Sequence, residues 1–339
     1  MKSMLSPPLA IALALVLLAA MIVAAFALGK FPLAPSDVLA VLWSKLTGGD
    51  PQLAGNVEAV VLRIRGPRIM AAVLVGASLA ASGAAYQGLL RNPLVSPDIL
   101  GVSSGAALGA VLGIFLSLPV LGIQALSFAF GLVAVAAVYG IGVSMRGHDP
   151  ILILVLAGVV IGTLLGSCIA LLKYFADPYN QLPAITFWLL GSLAAATPAD
   201  AFSVLLPILC GLVPLYLLRW RMNLMSLGDE EARALGVNTT HLRLTIVAAA
   251  TLMTSAAVSI SGIIGWVGLL IPHFARLLAG PNFNRLLPTS ILLGATFLLG
   301  VDTLARTAAA IEIPLGVLTA FVGTPLFLWL LVNVRQSWQ

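Results

Sequence analysis

Charge is scarce in this chain. Only 9% of its 339 residues are Asp, Glu, Lys or Arg, against roughly 25% in ordinary soluble domains. Hydrophobic residues make up 60%, and the mean hydropathy is +1.10. A soluble fold cannot hide that much apolar surface, so the bilayer is the solvent. Cysteine is nearly absent. Cys168 and Cys210 both sit in apolar runs, which excludes a disulfide framework and reads as small hydrophobic packing. The three histidines, His148, His241 and His273, stand apart near span edges, so no zinc spacing exists and no metal ligands are expected. A phosphate-cradling Walker loop is also missing. The one Gly-Lys pair, Gly29-Lys30, is followed by Phe31 and preceded by Ala24 where a glycine is needed.

What is present is a series of apolar runs, near 8–29, 69–90, 99–118, 122–145, 151–175, 201–219, 242–261, 264–279, 288–305 and 314–334. A spanning helix takes about 20 apolar residues, so these ten read as an all-α polytopic membrane protein forming one domain over 1–339. The first run exceeds the 7–15 residues of a signal-peptide core, so it reads as a span and not a cleaved leader. An even count puts both termini on one side. With Lys2 and Arg335 in the cytoplasm, ten basic residues fall inside and seven outside, a modest positive-inside bias. The net charge of +5 therefore sets orientation and does not point to nucleic acid.

Three of the outside charges crowd into Arg63-Ile-Arg-Gly-Pro-Arg68. They anchor the next span among lipid headgroups, or they receive carboxylates from a soluble partner. Gly66-Pro67 predicts a fixed turn presenting Arg65 and Arg68 outward. Residues 35–46 predict a helix lying in the membrane interface. Residues 184–193 are apolar but too short to span.

Asp302 and Arg306 lie four apart on one span and are expected to pair. No carboxylate or histidine stands alone in mid-span, which argues against a proton relay. Gly101, Gly105, Gly109 and Gly113 recur every fourth residue, as do Gly158, Gly162 and Gly166. Such stripes let helices approach closely. Gly101-Val-Ser103-Ser-Gly105 matches the serine-hydrolase elbow, but that elbow needs a strand-to-helix turn. Here it opens a glycine-striped span, so Ser103 reads as a packing hydroxyl.

One polar island, 225–240, interrupts the apolar chain. Gly228 precedes a two-turn helix with Asp229, Glu230 and Glu231 at its positive end. Ala232, Leu235 and Val237 supply an apolar patch, Arg233 sits towards the negative end, and Gly236 provides a left-handed stop. A plain loop needs neither two caps nor three acids.

Together these runs resemble the permease subunits of ABC importers for iron-siderophore complexes, haem and cobalamin. The similarity is carried by Arg65-Gly-Pro-Arg68, 83–87, Asn92-Pro-Leu94, 101–106, 227–236, 262–273, Asp302, Arg306, 314–316 and 323–327. It implies a type II importer permease with ten spans, working as a homodimer in the bacterial cytoplasmic membrane, lipid around it, both termini inside. It implies two separate ATP-binding subunits that hold ATP and magnesium, and no cofactor on this chain. The segment matching Gly228 to Gly236 is the helix on which those subunits dock. The positions matching the family's outer docking arginines are Arg65, Arg68 and Arg306, for a soluble substrate-binding protein. Asn92 and Leu94 match the inner gate. The implied cargo is a metal chelate, first a ferric siderophore, with haem, cobalamin or molybdate open. The competing functions are an ATP-independent carrier or channel and an intramembrane serine hydrolase.

Overall fold

A computed structural model describes residues 5–29, 31, 33–49, 55–145 and 150–334. Lys2, Lys30, Arg146, His148 and Arg335, which entered the orientation and histidine readings, lie outside the described residues. Those described form helices and connections, with no strand among them.

The helices are α1 (Pro7–Ala27), α2 (Pro35–Thr47), α3 (Gly55–Ala59), α4 (Gly66–Leu89), α5 (Val102–Phe115), α6 (Val120–Ser144), α7 (Pro150–Phe175), α8 (Gln181–Leu189), α9 (Pro198–Leu217), α10 (Arg219–Met225), α11 (Asp229–Ala234), α12 (Thr239–Ser261), α13 (Val267–Ala279), α14 (Phe283–Thr307) and α15 (Leu315–Val334). Among the described residues seven are long and apolar enough to cross a membrane, α5 and α13 are shorter apolar helices, and α15 is apolar over Leu315–Trp329. These ten match the ten runs of the sequence. The nine-residue α8 extends about 13 Å at 1.5 Å per residue, too short to cross.

Burial sorts the spans into two layers. In α4, α12 and α14, 78%, 72% and 61% of the most apolar stretch is buried, against 22% in α1 and α7. The first three therefore form the centre, and α1 and α7 lie at its periphery. The centre is built on small residues. Gly83 of α4 lies against the backbone of Gly268 in α13, and Gly76 against Gly294 in α14, with no room for a side chain at either crossing. The α5 stripe works the same way: Gly105 and Gly109 meet the backbone of Phe130 and Leu126 in α6. The α7 stripe does so only in part, because Gly158 abuts Ile99 while Gly166 faces open space.

One sequence expectation is corrected here. Gly66-Pro67 forms no turn. Residues 56–89 make one helix of 34 residues, with a π-helical stretch at Val60–Arg65. Pro67 lacks an N–H and its ring crowds the carbonyl four residues back. The helix accommodates this by widening: the Gly66 N–H reaches the Val61 carbonyl, five residues away. The second span thus begins well before residue 69, and Arg65 and Arg68 lie on its walls.

The polar elements behave as their patterns predict. In α2, Val38 and Val41 are buried while Leu39 and Trp43 are exposed, which suits a helix lying in the interface. Between α12 and α13 the chain breaks at 262–266, where Gly262 (φ 68°) and Trp266 (φ 72°) turn left-handed. Gly191, at φ 75°, closes onto this break. Its neighbour Ser192 donates its N–H to the Ser261 carbonyl at 2.8 Å, and Gly191 accepts from the Leu315 N–H at 2.9 Å.

Candidate functional site

Polar side chains gather at two ends of the bundle. Arg68 stands near the start of α4 and Arg91 just beyond its end. The 24 residues of α4 separate the two groups by about 36 Å, roughly the depth of a bilayer core with its edges.

At the Arg91 end, α11 occupies Asp229–Ala234, with Gly228 at φ 139° and Gly236 at φ 83° on either side. Ala232 is fully buried and Val237 nearly so, whereas Leu235 is 59% exposed. The expected apolar patch is therefore divided: Ala232 and Val237 seat the helix, and Leu235 faces outward with Glu230, Glu231 and Arg233. Asp229 is the anchor. Its carboxylate accepts from Arg91 at 3.0 Å and from Arg243 of α12 at 2.7 Å. Arg91 Nε also donates to the Met225 carbonyl at 2.8 Å, and Arg233 Nε donates to Thr239 at 3.0 Å. The short helix is thus tied from behind through Asp229, while Glu230 and Glu231 point outward.

The loop after α4 leads back to the same anchor. Asn92 and Leu94 are exposed, and the Leu94 N–H donates to Asn92 Oδ1 at 2.9 Å. Gln87, which is buried, pins this loop to α13. Its Nε2 donates to the carbonyls of Val95 at 3.1 Å, Gly268 at 3.2 Å and Leu269 at 3.1 Å. The loop, α13 and α11 are therefore linked within a few residues. Gln87 and Arg91 are the members that composition and spacing do not single out, because their partners come from other helices.

At the opposite end, Arg68 and Arg306 converge on two carboxylates. Arg68 donates its Nε to Asp302 at 2.9 Å and forks onto Glu312 at 3.0 and 2.9 Å. Arg306 approaches Asp302 at 3.6 Å, as the four-residue spacing predicts, and donates to the carbonyls of Ala25 at 2.6 Å and Leu28 at 3.1 Å. Arg65 donates to the Phe26 and Phe31 carbonyls. The three side chains are inward: Arg65 is 5% exposed, Arg68 9% and Arg306 7%. This corrects the outward presentation expected from a turn. Arg63 is the exposed member of the cluster. The trio clamps the end of α1 to α4 and α14.

Ser103 donates to Asp98, closing the turn between Pro97–Leu100 and α5. That bond engages the hydroxyl in structure, and the hydrolase elbow has no strand behind it.

The chain has known relatives. Residues 16–333 match the model of the FecCD transport family. The molybdate import system permease protein MolB of Haemophilus influenzae is 38% identical over 312 residues, covering 91% of each chain. A probable iron chelatin transport system permease protein of Helicobacter pylori is 41% identical over 280 residues, 83% of this chain and 84% of that one. Among solved structures, a metal-chelate type ABC transporter in an inward-facing conformation superposes with a TM-score of 0.87 at 37% identity, over 96% of this chain and 99% of that one. With a family match across nearly its whole length and a helical bundle of the same shape, this chain belongs to the FecCD transport family of ABC transporter permeases.

Proposed function

We propose that this chain is the membrane-spanning subunit of an ATP-driven importer for a metal chelate, first a ferric siderophore. The observation that carries the reading is α11: a capped, acid-rich, outward-facing helix, braced by Arg91 and Arg243, in a chain with no Walker loop. Such a helix is a socket for a motor held by another subunit. Gly228 to Gly236 is the surface on which each of two ATP-binding subunits docks, with ATP and magnesium held there. Movement of α11 reaches the gate at Asn92 and Leu94 through Asp229 and Arg91.

The transport pathway forms between two copies of this chain. The face of α7 carrying Thr163, Gly166 and Ser167 is exposed in the single chain, and small and hydroxyl residues suit close helix approach in lipid. At the other face a soluble binding protein delivers the cargo. Arg68 and Arg306 pair with the carboxylates of Asp302 and Glu312, while Arg65 is bound to backbone carbonyls alone, so three guanidiniums face two carboxylates at this end. The surplus positive charge favours acidic residues on that partner. This orientation puts both termini in the cytoplasm of a bacterium, with the protein in its inner membrane.

The cargo is proposed from the relatives, whose names span iron chelate and molybdate. Its test is a binding screen of the partner binding protein against ferric siderophores, haem, cobalamin and molybdate, followed by uptake into vesicles. Tight binding and ATP-dependent uptake of a ferric chelate support the assignment. Molybdate as the sole ligand overturns the siderophore.

A further inference from the structure

A cavity of about 350 Å³ opens between the gate loop, α10, α13 and the start of α14. Its walls include Gln87, Arg91, Pro93, Asn223, His273 and Arg276. No carboxylate lines it. Arg91 is committed to Asp229 and to the Met225 carbonyl. Asn223 is committed too, accepting from the Phe283 N–H and donating to Asn282.

Two side chains are left over. Arg276 Nη1 and both ring nitrogens of His273 are buried and have no hydrogen-bond partner among the described residues. They lie three apart on α13, hence on one face of the helix. Arg276 as a whole is half-buried, but a guanidinium nitrogen held out of water without a partner is costly, and so is a buried imidazole with neither nitrogen bonded. Nearby Asp229 cannot supply the charge, because Arg91 and Arg243 share it. Arg285 adds a further exposed cation at the start of α14.

We propose that this cavity is an oxyanion site of the phosphate type, with Arg276 and His273 as its ligands. The guanidinium matches a tetrahedral oxyanion in charge and donor geometry. His273 contributes an N–H. Gln87 Oε1, a buried acceptor also without a partner, suits a protonated oxygen such as that of hydrogen phosphate. The site stands on these orphaned atoms and does not depend on which cargo the bundle carries. Because Arg91 and Pro93 share its wall, an ion bound there sits against both the gate loop and the brace of α11. The phosphate chemistry is met by a free ion or by a lipid headgroup, and two arms separate them.

The full-length protein is placed in nanodiscs of phosphatidylcholine and titrated with inorganic phosphate by calorimetry. A second set of discs contains phosphatidylglycerol, and thermal unfolding is followed. A saturable phosphate isotherm in the first arm, weakened about tenfold or more in Arg276→Gln and restored in Arg276→Lys, supports a free-ion site. Stabilisation by phosphatidylglycerol alone, lost in Arg276→Gln and kept in Arg285→Gln, supports a headgroup site. Should Arg276→Gln fail to fold, His273→Asn serves in its place with the same expectations. If neither arm responds to Arg276→Gln or His273→Asn, or if Arg285→Gln has an equal effect, the binding is diffuse charge attraction and the site does not exist.

Discussion

Arg91, on the loop after α4 that is proposed as the gate, and Asp229, on α11, form an ion pair of 3.0 Å across 138 residues of sequence. The same carboxylate holds Arg243 at 2.7 Å. The pair is partly exposed, so its loss costs little stability, about 1 kcal/mol or less. Its effect on coupling is expected to be larger. In Arg91→Gln the gate loop is released from α11, and uptake per ATP hydrolysed falls while the melting temperature barely moves. Unchanged uptake per ATP in reconstituted vesicles contradicts this route of communication.

Asp229→Asn is expected to be worse for the fold than Arg91→Gln. It leaves the Arg243 guanidinium, 9% exposed, with a weakened acceptor, at about 1–3 kcal/mol. Thermal unfolding of the two variants in the same detergent ranks them.

Asp302 is fully buried and faces both Arg68 and Arg306. Asp302→Asn leaves two buried guanidiniums without that charge, a cost of about 3–5 kcal/mol by analogy with other broken buried pairs. Glu312 is 34% exposed at its side chain, so water replaces part of what Glu312→Gln removes, and that variant unfolds at a higher temperature than Asp302→Asn.

The docking proposal for Arg65, Arg68 and Arg306 needs variants that keep the bundle intact. Arg65→Lys and Arg306→Lys retain the charge but lose the planar fork. Affinity for the binding protein is expected to drop about tenfold or more, with attachment of the ATPase subunits unchanged. Equal affinity in both variants assigns the arginines to clamping α1 alone.

Gly83 tests the packing of the centre. Gly83→Val places branched carbons on the Gly268 backbone, and overpacking against backbone costs about 1–3 kcal/mol or more. Gly166→Ala, which meets open space, leaves the single chain's stability unchanged. The same unfolding measurement reads both.

The sequence makes the spans, α2 and α11 legible because their signals are local. Apolar length marks a span, Val38 and Leu39 with Val41 and Trp43 mark a two-faced helix, and Gly228 and Gly236 bracket α11. The Asp302–Arg306 contact is local too, one helical turn apart. What stays hidden depends on distant partners. Arg68 reaches Glu312 across 244 residues, and Gln87 reaches Gly268 across 181. Gly66-Pro67 carries a turn signature, yet the helix runs through it. Tertiary packing of α4 against α13 and α14 outweighs the local preference, and the π-helical stretch absorbs the missing N–H.

In the proposed cycle, α11 passes the work of ATP hydrolysis into the membrane. Arg233→Pro breaks α11 behind its first turn by crowding the Asp229 carbonyl, while the Asp229 carboxylate and its partners Arg91 and Arg243 are retained. In proteoliposomes holding this chain, its ATPase subunits and its binding protein, uptake of the cargo and phosphate release are measured together. The native chain is expected to take up cargo only with ATP, and Arg233→Pro to continue hydrolysing ATP while uptake falls at least about tenfold. Uptake without ATP, or full uptake in Arg233→Pro, contradicts it.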